Sequence, residues 1–156
     1  MRRYYIAWDA IALVAATAKT ILELPSTAAQ DLNIDEVFVG FDYASSTTLG
    51  ACKVQWGTFT TTGTGTAATP APYSENRTAS VLTACKVADT VEPTGFTQGT
   101  LGANSFRPSI SVPLPGIHAW QAPTESELYV PVSTLYALRL TSSVGCNTSG
   151  WVAWKE

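Results

Sequence analysis

The chain has 156 residues, a length that suits a single domain with a sizeable hydrophobic core. Nine basic and twelve acidic side chains give a formal net charge of −3, and the basic residues form no stripe, so we expect no nucleic-acid partner. No apolar run reaches the ~18 residues of a membrane-spanning helix, so we expect no membrane partner either.

Charged residues make up only 13% of the chain, about half of the usual share of roughly 25%. At the same time, 46% of the residues are hydrophobic and five are tryptophan. A compact monomer would leave part of this apolar surface in water. We therefore expect the protein to bury surface against copies of itself or within a larger assembly.

The segment Arg2–Thr17 admits two interpretations. Its arginine pair, apolar run and small residues are typical of a secretory signal peptide. However, Asp9 interrupts the apolar run with a charge. Tyr4, Ile6 and Trp8 also alternate with residues of the opposite face, as in a half-buried strand. We therefore expect this segment to be the first strand of the folded domain.

Later strands are predicted wherever apolar residues alternate between stretches of turn-forming residues. Their ranges are Lys19–Leu24, Glu36–Tyr43, Gly50–Phe59, Ser80–Val87, Leu128–Val132, Thr134–Thr141 and Gly150–Lys155. The last two are expected to pair as a hairpin across residues 142–149. Helix signals are nearly absent, and the best candidate is a single turn over Thr27–Asp31.

Two stretches carry almost no charge and are predicted to be long loops. Thr58–Ser74 is rich in threonine and glycine, and Pro93–Thr124 is rich in proline. Long uncharged loops in a compact domain are usually functional or packed against a partner. The fold prediction is an all-β antiparallel β-sandwich, jelly-roll-like, with about eight to ten short strands. It is one domain over residues 1–156, with residues 1–15 as an N-terminal strand or arm.

The sequence contains no recognisable catalytic constellation. The single histidine, His118, lies in an apolar, proline-rich stretch and is interpreted as a packing residue. No serine stands in a G-x-S-x-G motif, and no pair of carboxylates is singled out. We therefore expect no enzymatic activity, no catalytic residue and no cofactor.

The sequence also contains a partial metal-binding motif and three cysteines. Asp31–Glu36 matches the start of a calcium loop but lacks the glycine that the loop requires, so a polar turn before a strand is favoured and no metal is expected. Cys52, Cys85 and Cys146 are an odd number of widely spaced cysteines. Three buried thiols are favoured, and a single disulfide stays open as the alternative.

Aromatic residues on a β-sandwich can form a stacking platform for sugars. Five residues are candidates: Trp56, Trp120, Tyr129, Trp151 and Trp154. Trp56, Trp151 and Trp154 fall on strand periods and are expected in the core. Trp120, in the proline-rich stretch, is the candidate for an exposed ring.

Several segments resemble small virion proteins encoded by tailed bacteriophages, notably those of actinobacteria. Ala16–Leu24 (ATAKTILEL) resembles their opening strand, and the acidic lead into Glu36–Asp42 (EVFVGFD) is similar to their second strand. Further similar segments follow in the expected order: Gly63–Pro70, Val91–Thr94 and Trp151–Glu156. The resemblance covers most of the chain after residue 15. It implies an all-β domain on the phage head, of the capsid decoration (cement) type, and it carries no known catalytic residues.

The resemblance implies a non-enzymatic structural protein, assembled in the host cytoplasm and located on the capsid surface of the virion. The expected partners are the major capsid protein and further copies of the chain, arranged as a trimer. The alternative is a carbohydrate- or receptor-binding module of a phage head or tail. Such a module would use exposed, roughly coplanar aromatic rings.

Five residues are predicted to form the partner interface: Arg2, Arg3, Tyr4, Tyr5 and Trp120. Arginine and large aromatic residues are enriched in the centres of interfaces. The alternative for the first four is an edge strand whose tip is protected by charge. Because most predicted strand pairs lie beyond residue 15, deletion of the first six residues is expected to leave a folded domain.

Overall fold

The computed structural model describes residues 2–26, 31–43, 49–74, 78–98, 109–123 and 127–156. Met1 and most of the helical turn predicted over Thr27–Asp31 lie outside these ranges, as does the middle of the proline-rich stretch. Within these ranges the structure contains no helix, and hence none that is long and apolar enough to cross a membrane.

The described residues form thirteen strands, which assemble into two antiparallel sheets. The strands are β1 (Arg3–Leu13), β2 (Ala18–Pro25), β3 (Leu32–Tyr43), β4 (Gly50–Thr58), β5 (Thr64–Ala67), β6 (Ala71–Pro72), β7 (Lys86–Val91), β8 (Thr97–Gln98), β9 (Ser109–Leu114), β10 (Gly116–Gln121), β11 (Leu128–Val130), β12 (Leu135–Ser142) and β13 (Cys146–Lys155). Sheet I has the order β10-β3-β13-β1-β6, and β11 also pairs with β3. Sheet II has the order β5-β7-β2-β12-β4, and both β8 and β9 pair with β4.

Eight principal strands give the molecule its topology. In sheet I they pair as β1-β13-β3-β10, and in sheet II as β2-β12-β4-β9. The chain crosses between the sheets at almost every step, which wraps two Greek keys around one core. This is the jelly-roll arrangement, so the predicted fold class is confirmed. The strand count exceeds the eight to ten expected because five further strands extend the two sheets.

The predicted hairpin between the last two strands is wrong. β12 lies in sheet II between β2 and β4, whereas β13 lies in sheet I between β1 and β3. The turn after Ser142 therefore carries the chain from one sheet to the other. The alternating pattern gives the inward face of each strand, but it does not specify which strand lies alongside.

The two uncharged stretches are not the long loops that were predicted. The described part of the proline-rich stretch contains β8, β9 and β10, and the threonine-rich stretch contains β5 and β6. Pro113 lies within β9, which pairs only with β4 among the described strands. A proline is tolerated at such a place because its missing N–H faces away from the ladder. The strand predicted over Ser80–Val87 is also shifted, since β7 begins at Lys86.

One hydrophobic core fills the space between the sheets. Its largest fully buried side chains are Trp56, Trp154 and Tyr4, and β1 also contributes Ile6 and Trp8. β1 pairs with β13 along most of its length, from Arg3 opposite Lys155 to Leu13 opposite Cys146. The N-terminal segment is therefore a strand of sheet I that contributes side chains to the core.

Candidate binding face

The outer face of sheet I carries a row of apolar side chains that crosses four strands. The strand register places Ala119, Phe38, Trp151 and Ala7 side by side. The rings of Phe38 and Trp151 are stacked, with centroids 4.3 Å apart and planes 8° from parallel. Because Val37 and Val152 next to them point into the core, Phe38 and Trp151 must point outward. The row gives the outer face of sheet I an aromatic platform.

This platform continues into an open groove of about 460 Å³, here called the aromatic groove. The residues that line it are Tyr5, Ala7, Pro72, Tyr73 and Trp151. The short strand β6 pairs with Tyr4 and Tyr5, and the N–H of Tyr73 donates a 3.0 Å hydrogen bond to the carbonyl of Arg3. Tyr73 meets Tyr5 edge to face at 5.7 Å and leaves 53% of its surface exposed. Three segments that are distant in sequence thus form one concave apolar surface.

A charged cluster borders one end of the aromatic groove. The guanidinium of Arg3 lies 4.2 Å from the centre of the Tyr73 ring. It forms ion pairs with Asp35, 3.0 Å from Nε to the nearest carboxylate oxygen, and with Glu36. Burial disfavours the charged form of Arg3, but the two carboxylates outweigh burial and raise the pKa of the guanidinium. Lys155 extends the cluster with a 2.7 Å ion pair to Glu127.

The other end of the aromatic groove is bordered by Asp9 and Ser149. The Ser149 hydroxyl donates a 2.7 Å hydrogen bond to Asp9 Oδ1 and accepts one of 2.9 Å from the N–H of Ala10. Ala10 has φ of 49°, and the register between β1 and β13 shifts after Trp8. This irregularity holds the Asp9 carboxylate on the open face. The aromatic groove therefore has polar groups at both ends, which is the common pattern of ligand and partner sites.

The structure separates the five predicted interface residues. Arg3 and Tyr5 lie on the outer face at the aromatic groove, and Arg2 is exposed beyond them, with its backbone hydrogen-bonded to Glu156. Tyr4 is only 1% exposed, and its hydroxyl donates a 2.9 Å hydrogen bond to the carbonyl of Thr78. Trp120 is half-buried on β10 and packs against the core. Tyr4 and Trp120 thus point inward and offer no ring to the outer face.

The sugar-platform candidates also need correction. Trp56 and Trp154 are buried as expected, but Trp151 lies on the outer face of sheet I instead of in the core. Trp151 and Trp154 are three residues apart, so a regular strand sends them to opposite faces. This spacing in the sequence already indicated that only one of the two tryptophans can lie in the core. Phe38, Pro72 and Tyr73 were missed because no local pattern brings them together.

The other candidate groups occupy structural positions. His118 lies on β10 and is half-buried, and burial lowers the pKa of its imidazole. β3 already begins at Leu32, so most of the calcium-loop-like segment is extended strand. All three cysteines are buried, and none forms a disulfide. Across the described ranges, no group of three or more His, Cys, Asp or Glu side chains is arranged to hold a metal ion.

Comparison of the chain with protein-family models, with curated proteins and with solved structures gave no match. No functional residue is therefore transferred to this chain from a relative.

Proposed function

We propose that this chain is a non-enzymatic structural protein of a bacteriophage particle, a capsid decoration protein that binds the major capsid protein through the outer face of sheet I. The resemblance of its segments to small phage virion proteins supports this. So does the jelly-roll topology, which recurs in viral capsid domains, although a fold alone does not define a function. The observation that carries the proposal is the aromatic groove with its charged border.

The chemistry of this face suits a protein partner. Tyrosine, tryptophan and arginine provide much of the binding energy in protein interfaces when they are surrounded by groups that exclude water. Trp151, Tyr5 and Tyr73 provide the rings, and Arg3 with its carboxylate partners provides the polar border. Burying such a face would remove apolar surface that the isolated domain leaves in water.

We further propose that the subunits associate as a trimer over a local symmetry axis of the shell. The low charge of the chain, 13% of residues, supports self-association. Light scattering on the purified protein tests this part separately. A trimer mass in solution supports it. A monomer mass in solution, together with single separate copies on the shell, contradicts it.

The binding proposal is tested by sedimentation with shells assembled from the major capsid protein of the same genome. Wild-type protein should sediment with the shells. Trp151→Ala and Tyr5→Ala should bind about 10- to 100-fold more weakly, as expected for central interface residues. Val91→Ala, an exposed apolar residue on sheet II, is the control and should bind like wild type. Unchanged binding of both groove variants would overturn the proposal.

A second candidate function is carbohydrate or receptor binding by the same groove. The observation that favours it is the set of aromatic side chains at the groove, Trp151, Tyr5 and Tyr73, since sugar rings stack on aromatic faces and hydrogen-bond to nearby polar groups such as Asp9 and Arg3. An array of bacterial cell-wall oligosaccharides tests it. Glycan binding that is lost in Trp151→Ala, together with no binding to shells, would favour this second function over the first.

A further inference from the structure

A second polar cluster lies on sheet II, far from the aromatic groove, and its centre is a pair of buried carboxyl groups. Glu23 on β2 is 4% exposed, and Asp89 on β7 is 3% exposed. Ala88 has φ of 55°, which makes β7 irregular just before Asp89. Two buried carboxyl groups in one place are costly unless each is paired or neutralised.

The pair lies beneath residues 60–67, here called the strap, which include β5. The N–H of Gly63 donates a 2.6 Å hydrogen bond to Glu23 Oε1. Lys86 Nζ donates a 2.6 Å hydrogen bond to the carbonyl of Gly63 and lies 3.6 Å from Glu23 Oε2. Both polar groups of the Gly63 backbone are thus held by the cluster.

The backbone of the strap also packs directly onto Asp89. A Cβ atom on Gly65 would lie 2.2 Å from Asp89 Oδ1, and one on Gly63 would lie 2.6 Å from Oδ2. Such distances leave no room for a side chain or a water molecule. In the part of the chain that the structure describes, neither oxygen of Asp89 receives a hydrogen bond from a fixed donor.

The charges around the pair do not balance. Lys86 is the nearest cation, and Glu92 adds a further negative charge. Glu92 is itself fixed by hydrogen bonds from the N–H and the hydroxyl of Thr20, the latter at 2.6 Å. Arg139 on β12 interacts with Glu92 and stacks on Phe96. One additional positive charge beside Glu23 and Asp89 would satisfy both the charge and the missing hydrogen bond.

A proton meets this requirement better than a metal ion. It needs no space, and it turns one carboxylate into a donor for the other. The cluster already contains an ammonium group, which would repel a metal cation. Burial, the neighbouring carboxyl group of Glu23 and the negative charge of Glu92 raise the pKa of Asp89 to about 7, while Lys86 opposes this rise.

We propose that Glu23 and Asp89 share one proton that fastens the strap to sheet II, and that loss of this proton at alkaline pH loosens the strap. The O–H bond of the shared carboxylic acid breaks, and the proton passes to water. Two carboxylates then face one ammonium group beneath the strap. This inference goes beyond the proposed function and does not depend on it.

The direct test is NMR of wild-type protein labelled with ¹³C at the aspartate carboxyl carbon. The Asp89 signal should titrate with a midpoint near 7. The amide of Gly63 should exchange with solvent faster above that midpoint than the intrinsic rise with pH explains. An Asp89 midpoint near 4 would overturn the proposal.

Variants provide an independent readout. Asp89→Asn keeps the shape of the side chain and supplies a permanent donor to Glu23, so the excess exchange of Gly63 above neutral pH should disappear. Asp9→Asn should leave it as in wild type. If Asp89→Asn retains the same pH-dependent exchange as wild type, the proposal is wrong. If that variant fails to fold, the wild-type titration still decides the question.

Discussion

At the scale of single residues, two glycines show how the tightness of packing differs between a strand and a turn. Gly150 lies in β13, and Gly145 lies in the turn between β12 and β13. A Cβ atom on Gly150 would lie 2.1 Å from the carbonyl oxygen of Phe38 and 2.7 Å from the Trp8 ring. Both neighbours are fixed, one in a strand backbone and one in the core. A Cβ atom on Gly145 would meet nothing closer than 3.9 Å.

We therefore predict that Gly150→Ala lowers the free energy of unfolding by about 1–3 kcal/mol, the usual cost of overpacking. Gly145→Ala is the matched control and should change stability by less than about 0.5 kcal/mol. Urea denaturation of both variants measures the difference. Equal stabilities of the two variants would contradict the close approach of β3 and β13 at Gly150.

Tyr4 and Tyr5 are neighbours in sequence with opposite roles. Tyr4 lies in the core beside Trp154, 6.5 Å between ring centroids, whereas Tyr5 lines the aromatic groove. Tyr4→Ala should lower the free energy of unfolding by about 3–5 kcal/mol. Tyr5→Ala should change stability little and weaken partner binding instead. Thermal unfolding and shell sedimentation separate the two effects, and a large stability loss in Tyr5→Ala would contradict this assignment.

At the scale of strands, β1 determines whether the fold survives truncation. Removing residues 1–8 deletes Tyr4, Ile6 and Trp8 from the core and exposes one edge of β13. Each loss of a buried side chain of this kind costs about 2–5 kcal/mol, so the sum is comparable to a whole domain's stability of about 5–15 kcal/mol. This replaces the expectation that the N-terminal residues are dispensable.

We predict that the truncated protein loses its fixed aromatic packing, measured as loss of the near-ultraviolet circular dichroism signal. The double variant Arg2→Ala, Tyr5→Ala removes one exposed and one groove-lining side chain at the same end and should keep that signal. A truncated protein with a native spectrum and a cooperative transition would contradict the placement of β1.

The strand scale also shows what the sequence could predict. Alternation identified the inward residues of β3 and β4, such as Val37, Val39 and Trp56. Alternation also places Gln55 on the outer side of sheet II, but it does not predict that this side chain is buried there. The Gln55 amide donates a 3.0 Å hydrogen bond to Gln98. Burial of an outward side chain depends on which segment covers the sheet, and the local pattern contains no information about that.

The binding face was predictable only in part, for the same reason. Arg3 and Tyr5 were identified because interface residue types occur together in one short segment. Tyr73 and Trp151 reach the aromatic groove only through the pairing of β1 with β6 and of β1 with β13. Those pairings join residues that are far apart in the sequence, and a single sequence does not specify them.

At the scale of the whole molecule, the two sheets differ in how their outer faces are covered. On sheet II, the strap at the β5 edge packs onto Glu23 and Asp89, and the Phe96 ring stacks on Arg139 at 3.5 Å. Sheet I has its aromatic row and groove open between two polar ends. This asymmetry favours sheet I as the side that meets a partner.

The buried carboxyl pair should make global stability depend on pH. Asp89 has its pKa raised to about 7 in the folded protein and about 3.9 when unfolded. Between these values the folded state binds more protons, so stability is greatest at low pH and falls as the pH rises, until the loss is complete above about 7. Each 1 kcal/mol lost corresponds to about 2–4 °C in Tm for a protein of this size.

We predict that this component of the pH dependence disappears in Asp89→Asn and persists in Asp9→Asn. Thermal unfolding followed from about pH 5 to about pH 8 measures it, with each variant compared to wild type at the same pH. A wild-type protein whose advantage over Asp89→Asn grows as the pH rises would have the opposite sign to the one derived from the raised pKa.

The central claim, that the outer face of sheet I binds a phage shell, is tested most directly by cryo-electron microscopy of the particle encoded by the same genome. The account predicts jelly-roll density on the capsid surface, in three copies around local symmetry axes. In that density, Trp151 and Tyr5 are covered by the shell. Density for this chain with the aromatic groove facing solvent, or particles that lack the chain altogether, would contradict the account.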